Sequence, residues 1–146
     1  MTDPEPTRVL VIERTLPHPP EKVWRALTEG ALLEEWLMRG DFQPVVGHSF
    51  TFHTTPRPPH FDGVIACRVL EVVPLARLTY TWSAVGVDTV VSYTLTPVAA
   101  GTLLRLEQQG LPSKEANFQG AVYAWTRFLD GLERLFSERG AKSEDE

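Results

Sequence analysis

Apolar and polar residues alternate with period two through the middle of the chain. In the run LTYTWS, Leu78, Tyr80 and Trp82 share one face of an extended backbone, and Thr79, Thr81 and Ser83 share the other. Phe50 and Phe52 alternate in the same way with Ser49, Thr51 and His53, and Val91, Tyr93 and Leu95 with Ser92, Thr94 and Thr96. Leu104 and Leu106 lead to Gln108 on one parity, with Leu103, Arg105 and Glu107 opposite. These runs predict several antiparallel strands, each bulky on one side. Gly86 with Asp88, and Ala100 with Gly101, stand where hairpin turns would join neighbours. From Phe61 to Val73 both parities are apolar except at Asp62, Arg68 and Glu71, so the inward face is left open there. An earlier run, VLVI, predicts a first strand between Arg8 and Leu16, ended by Pro17 and the Pro19-Pro20 pair.

Two regions change to helical spacing. Proline suits a first helical turn because its missing N–H would be unpaired there, and Glu21 just inside favours the positive end of the helix dipole. A helix therefore starts near Pro19 or Pro20. Val23, Trp24 and Leu27 form one apolar face, Leu32 or Leu33 with Trp36 a second, and Gly30 lies where the first pattern stops. Two short helices with a break between them are expected. The last element runs from Ser113, a candidate N-cap, to about Arg139. Phe118, Val122, Trp125, Leu129, Leu132 and Phe136 fall on one stripe, edged by Ala121, Phe128 and Leu135, while Arg127, Asp130 and Arg134 point away. A one-sided sheet and a long amphipathic helix each need apolar cover, and packing one on the other supplies both. The fold class expected is α+β.

The chain of 146 residues fits one domain, expected over residues 8–139, with polar tails at 1–7 and 140–146. No window approaches the roughly 18 apolar residues of a membrane span. The N-terminal MTDPEPTRVL lacks the basic and apolar regions of a secretory signal, and a lone Cys67 forms no internal disulfide, so a cytoplasmic location is expected. A net charge of -5 without any Lys/Arg cluster argues against nucleic acid as a partner.

Three segments carry a resemblance. PPEKVWRALTEGALLEEW, RVLEVVPLARLTYTW and GAVYAWTRFLDGLERLF resemble, in order and spacing, the signature regions of the SRPBCC (START-like) superfamily, in the branch named after the activator of Hsp90 ATPase. The match spans roughly Val9 to Ser137. It implies a helix-grip fold, in which a curved antiparallel sheet wraps around the C-terminal helix, often with a cavity for apolar ligands between them. The two short helices would lie at its mouth, with Trp24 or Trp36 facing in. Two positions depart from the pattern. Cys67 stands where a glycine commonly precedes the valine-leucine-glutamate motif, and Gly120-Ala121 replaces the usual Gly-Trp pair, which would widen the cavity or alter packing there.

Inward parity and the resemblance together place Trp36, Phe50, Phe52, Tyr80, Trp82, Tyr93, Leu106, Gln108, Trp125 and Phe128 on the cavity wall, although the same residue types also fill ordinary cores. Gln108 and His48 are polar candidates for orienting a ligand or for satisfying backbone groups at strand ends. In HTTPRPPHFD, His53, Arg57, His60 and Asp62 gather around prolines, but their spacing matches no compact metal-ligand pattern and reads as a stiff exposed loop. No metal, cofactor or catalytic residue is expected. Cys67, in an apolar strand, reads as an inert core residue rather than a nucleophile. Three functions fit: a protein binding an apolar, planar small molecule such as a lipid-like, polyketide or polyphenol compound; a cyclase or hydrolase using the same cavity; and a chaperone-type interaction module.

Overall fold

The computed structural model describes residues 7–56 and 61–143, with side chains through Ser137 in the last helix. A first strand, β1 (Thr7–Leu16), leads into two helices, α1 (Pro20–Thr28) and α2 (Gly30–Trp36). Six strands follow: β2 (Arg39–Gly40), β3 (Ser49–His53), β4 (Val64–Val73), β5 (Arg77–Ala84), β6 (Val87–Val98) and β7 (Gly101–Pro112). The helix α3 (Glu115–Ser143) closes the order. All strands join one antiparallel sheet in the order β1-β7-β6-β5-β4-β3-β2, wrapped against α3 in the α+β helix-grip arrangement.

The helix break falls at Glu29, whose backbone is extended at φ -92° and ψ 125°, so Gly30 opens α2 instead of weakening a helix interior. Trp36 is buried and its indole N–H donates to the Ala26 carbonyl at 2.8 Å, tying α2 to α1. At the other end, the Phe118 N–H bonds the Lys114 carbonyl, which makes Lys114 rather than Ser113 the residue flanking α3. The helix runs on to Ser143, into the segment read from sequence as a tail; residues 1–6 and 144–146 lie outside the described residues.

The ambiguity between Phe61 and Val73 has a physical origin. Ile65, Cys67 and Val69 point inward, but the pairing slips between Val69 and Glu71, leaving Leu70 as an exposed extra residue, so the inward parity passes to Val72. A β-bulge moves every later side chain to the other face. A second slip, opposite Arg8–Leu10, falls at Gln109-Gly110, where Gly110 takes φ +91°. It brings Leu111 to the inner face beside Gln108.

The core lies between the sheet and the second half of α3, where Leu129, Leu132, Leu135 and Phe136 are buried. From the edge strand β1, Arg14 bonds Asp130 at 3.0 Å and also Glu133, while Arg8 pairs with Glu115 at 2.8 Å and stacks over the Phe118 ring at 3.6 Å. On the sheet's far side the expected polar residues are present, yet Thr79 and Ser92 are buried. Their hydroxyls bond each other at 3.1 Å beneath Arg77, which also reaches Glu71 and Thr94.

Tyr80 and Tyr93 are fully buried and share a hydroxyl hydrogen bond of 2.7 Å. Burial raises both phenols above their ordinary value and pushes the Cys67 thiol up to about 12.

Two outcomes are expected. Leu132→Ala should cost about 2 to 5 kcal/mol in urea unfolding, and Thr96→Ala, exposed on the outer face, under about 0.5 kcal/mol. Thr81→Ala should fall between them, near about 1 kcal/mol, because its hydroxyl accepts the Arg68 N–H at 2.8 Å. Similar losses at Leu132 and Thr96 would contradict the assigned faces. The second outcome concerns alkali. The unfolded chain releases the Cys67, Tyr80 and Tyr93 protons at ordinary values while the folded chain keeps them, so stability is complete below about pH 9 and falls as pH rises further. The slope is up to about 1.4 kcal/mol per pH unit for each group. A urea midpoint unchanged between about pH 9 and 11 would contradict their burial.

Candidate functional site

A cleft of ≈ 560 Å³ opens between the first half of α3 and the end of the sheet where β5 turns into β6. Trp82, Ala84, Val85 and Val87 form its hairpin side, with Thr89, Gln108, Leu111 and Pro112 behind them. The helix contributes Ala116, Asn117, Gly120, Ala121, Ala124, Trp125 and Phe128, a stripe repeating every three or four residues. Small residues dominate the start of that stripe. A Cβ added at Gly120 would meet nothing within 4 Å, so the helix stands away from the sheet there.

The aromatic end of the cleft is rigidly built. Trp82 and Trp125 pack at 5.1 Å between ring centres, and Trp125 meets Phe128 edge-on at 5.5 Å. Behind them runs a chain of buried polar contacts. The Trp125 indole N–H donates to Gln108 Oε1 at 2.8 Å, Gln108 Nε2 donates to Thr89 Oγ1 at 2.9 Å, and the Thr89 hydroxyl donates to the Trp82 carbonyl at 2.7 Å. The chain ties α3 to β7, β6 and β5.

At the lip, the turn Val85-Gly86 has positive φ at both residues, +49° and +74°. Glycine tolerates this; valine, β-branched, is strained by it, at a cost of order 1–3 kcal/mol. Val85 is 62% exposed, so no burial of its side chain offsets the strain.

Of the wall residues expected from sequence, Trp82, Gln108, Trp125 and Phe128 line this cleft. Trp36, Phe50, Phe52, Tyr80, Tyr93 and Leu106 instead pack into the core, away from this cleft's lining. Aromatic rings cluster on the concave face of β3 to β6. Phe50 meets Phe42, Phe52 and Tyr80 at 5.1, 5.2 and 5.4 Å, each nearly edge-on. Nor do α1 and α2 stand at the mouth of this cleft. The Trp36 backbone lies against Gly131, in the opposite half of α3, and neither Trp24 nor Trp36 is among the lining residues.

Sequence reasoning marked Gly120-Ala121 as a place where the cavity would widen or the packing change, but missed Ala116, Asn117, Ala124 and the hairpin residues. Gly120 and Ala124 are four apart on the helix, and Thr89 shares the inward parity of Val91 and Tyr93; both signals were present in the chain. Other polar candidates serve the fold. His48 bonds the Asp41 carbonyl at 2.9 Å and His53 bonds the Thr51 hydroxyl at 2.8 Å. Arg57 and His60 lie outside the described residues, and among the described residues no group of three His, Cys, Asp or Glu side chains is placed to hold a metal ion. No helix among them is long and apolar enough to cross a membrane.

The geometry can be set beside known proteins. Residues 17–137 match the family model described as activator of Hsp90 ATPase homolog 1-like protein. The crystal structure of protein MLL2253 from Mesorhizobium loti is 42% identical, with a TM-score of 0.83 over 90% of this chain and 98% of that one. Protein CV1439 from Chromobacterium violaceum is 26% identical, with a TM-score of 0.73 over 87% of this chain and 95% of that one. DynU16, a protein of the dynemicin biosynthetic locus, shares the fold at 24% identity and a TM-score of 0.74, over 94% of this chain and 49% of its own. No curated protein matches this chain. With more than half its length matched, from the α1 region to the end of the packed part of α3, the chain belongs to the activator of Hsp90 ATPase homolog 1-like family within the SRPBCC superfamily.

Proposed function

We propose that this protein binds a flat, apolar small molecule in the cleft between α3 and the β5–β6 hairpin, without a covalent step. The observation that carries the reading is a site of ≈ 560 Å³ walled by Trp82, Trp125 and Phe128, facing a helix stripe kept small at Gly120, Ala121 and Ala124. That volume falls among ligand pockets, which run from about 300 to 1,000 Å³ and combine apolar walls with a few fixed polar groups. A planar ring system suits the shape, because aromatic walls gain most from a partner that stacks or packs edge-on. Val85 supports the same reading: its strained backbone holds an exposed apolar side chain at the lip.

Binding is better supported than catalysis. Among the described residues, the cleft's lining carries no His, Cys, Tyr, Asp, Glu, Lys or Arg, so a cyclase or hydrolase acting there would have no titratable side chain from this lining for proton transfer. An interaction module is less supported again, because the exposed large apolar residues sit on separate elements, such as Val9 and Val11 on β1, Val45 and Val46 before β3, and Tyr123 on α3. The cytoplasm, expected from the lone thiol, suits a carrier or sequestering protein of this kind.

A thermal-shift screen of planar apolar compounds, polyphenols included, should find one that quenches tryptophan emission and saturates. At 100 times its dissociation constant such a ligand stabilises by about 2.7 kcal/mol, a rise in Tm of roughly 5 to 10 °C for a domain of this size. Trp82→Ala should weaken binding several-fold, and Trp24→Ala should leave it nearly unchanged. Gly120→Trp should abolish binding while leaving the fold at least as stable, since the new side chain enters open space and replaces a poor helix former. Binding that survives Gly120→Trp would place the ligand elsewhere.

A further inference from the structure

We infer that Gln108 reads an acceptor oxygen on the bound molecule, so that the cleft selects neutral planar compounds bearing a carbonyl over hydrocarbons or carboxylates of the same skeleton. The inference rests on the binding reading above and adds the ligand's chemical class to it.

The orientation of the Gln108 amide is settled by its neighbours. An indole N–H only donates, so the atom facing Trp125 at 2.8 Å must be the amide oxygen. The Thr89 hydroxyl gives its hydrogen to the Trp82 carbonyl, so its oxygen must accept, and the atom facing it at 2.9 Å is the amide nitrogen. An amide has two N–H donors and two oxygen lone pairs. These contacts use one of each, leaving Gln108 one N–H and one lone pair at a residue that lines the cleft. Gln108 and Thr89 are each only 4% exposed, so an oxygen brought to that N–H meets a fixed donor in a dry setting.

Charge sets the other half of the selection. Among the described residues no cationic side chain lines the cleft, so a carboxylate seated there would lose its water without gaining a counter-charge. The positive end of α3 gives little help. At the Ala116–Asn117 end of the cleft, in the first turn of α3, the Glu115 carboxylate already opposes an anion, and Trp125 lies about 12 Å further along the helix, beyond the turn over which the dipole acts. A carbonyl keeps the hydrogen bond without the cost of burying a charge.

Fluorene, 9-fluorenone and fluorene-2-carboxylate share one flat skeleton and separate these cases. Their dissociation constants are measured at neutral pH by calorimetry and by tryptophan quenching, against the unaltered protein, Gln108→Leu, Gln108→Met and Gly120→Trp. Fluorenone should bind at least tenfold more tightly than either of the others to the unaltered protein. Gln108→Leu should bring fluorenone down to the level of fluorene. Gln108→Met, which keeps the side chain's length without an N–H, should do the same, and it covers the case in which the leucine variant folds poorly. Gly120→Trp should remove all binding. Equal affinity for fluorene and fluorenone, a carboxylate bound as tightly as fluorenone, or discrimination that persists in the leucine and methionine variants would each overturn the role of Gln108 while leaving the cleft a binding site. Failure of all three probes to bind the unaltered protein would overturn the binding reading itself.

Discussion

One helix has to cover one face of a seven-stranded sheet, and the dimensions do not match. Strands spaced about 4.8 Å apart make a sheet roughly 29 Å across, whereas a helix with its side chains is only about 10 Å wide. Curvature narrows the difference, and the remainder must be met by something else. On the β3 side it is met by the sheet's own rings, Phe50, Phe52 and Tyr80 with Phe42, and by α1 and α2 bearing Val23, Leu27 and Trp36. On the β1 side Arg8 and Arg14 reach across to α3 and anchor it at two points along its length. At the β5–β6 hairpin end nothing large fills the gap. The helix carries alanine and glycine there, and the result is a cleft.

The helix is thus divided by burial along its length. Leu129, Leu132, Leu135 and Phe136 give the second half its burial, and that half holds the fold together. The first half, held by Arg8 through Glu115 and Phe118, buries less: Phe118, Ala121 and Val122 pack against the core only in part. Trp125 stands at the boundary. Its ring belongs to the aromatic wall, and its N–H begins the polar chain through Gln108 and Thr89 that fixes the helix over the strands. Two buried polar arrangements therefore serve different ends: the Tyr80–Tyr93 hydroxyl pair is closed within the core, whereas the Gln108 amide borders the cleft.

Much of this architecture was legible in the chain, and the exceptions share a cause. Period two in LTYTWS and the stripe through Trp125 and Leu132 identified sheet and helix because each element has one face that must leave water, and that constraint is local. The bulge at Leu70 was not legible, because a slipped register depends on the partner strand. The inward aromatic residues looked equivalent in sequence. What separates Trp82 from Tyr80, two residues apart on one strand, is what surrounds each: the rings of Phe42, Phe50, Phe52 and Tyr93 enclose Tyr80, whereas Trp82 meets Trp125 beside the small stretch of α3, a fact of the fold and not of the strand. The replacement of the family's Gly-Trp pair by Gly120-Ala121 was the local trace of that difference.

The most direct measurement is a heteronuclear NMR titration with 9-fluorenone that follows side-chain N–H groups. The Gln108 amide and the Trp125 indole share a hydrogen bond at the cleft's inner wall, so both signals should move together and saturate at the same ligand concentration. The indole of Trp36, hydrogen-bonded to Ala26 in the core, should stay in place. Shifts at Trp36 with Gln108 and Trp125 unmoved would show that the ligand enters the core instead, and the cleft would lose its claim to be the binding site.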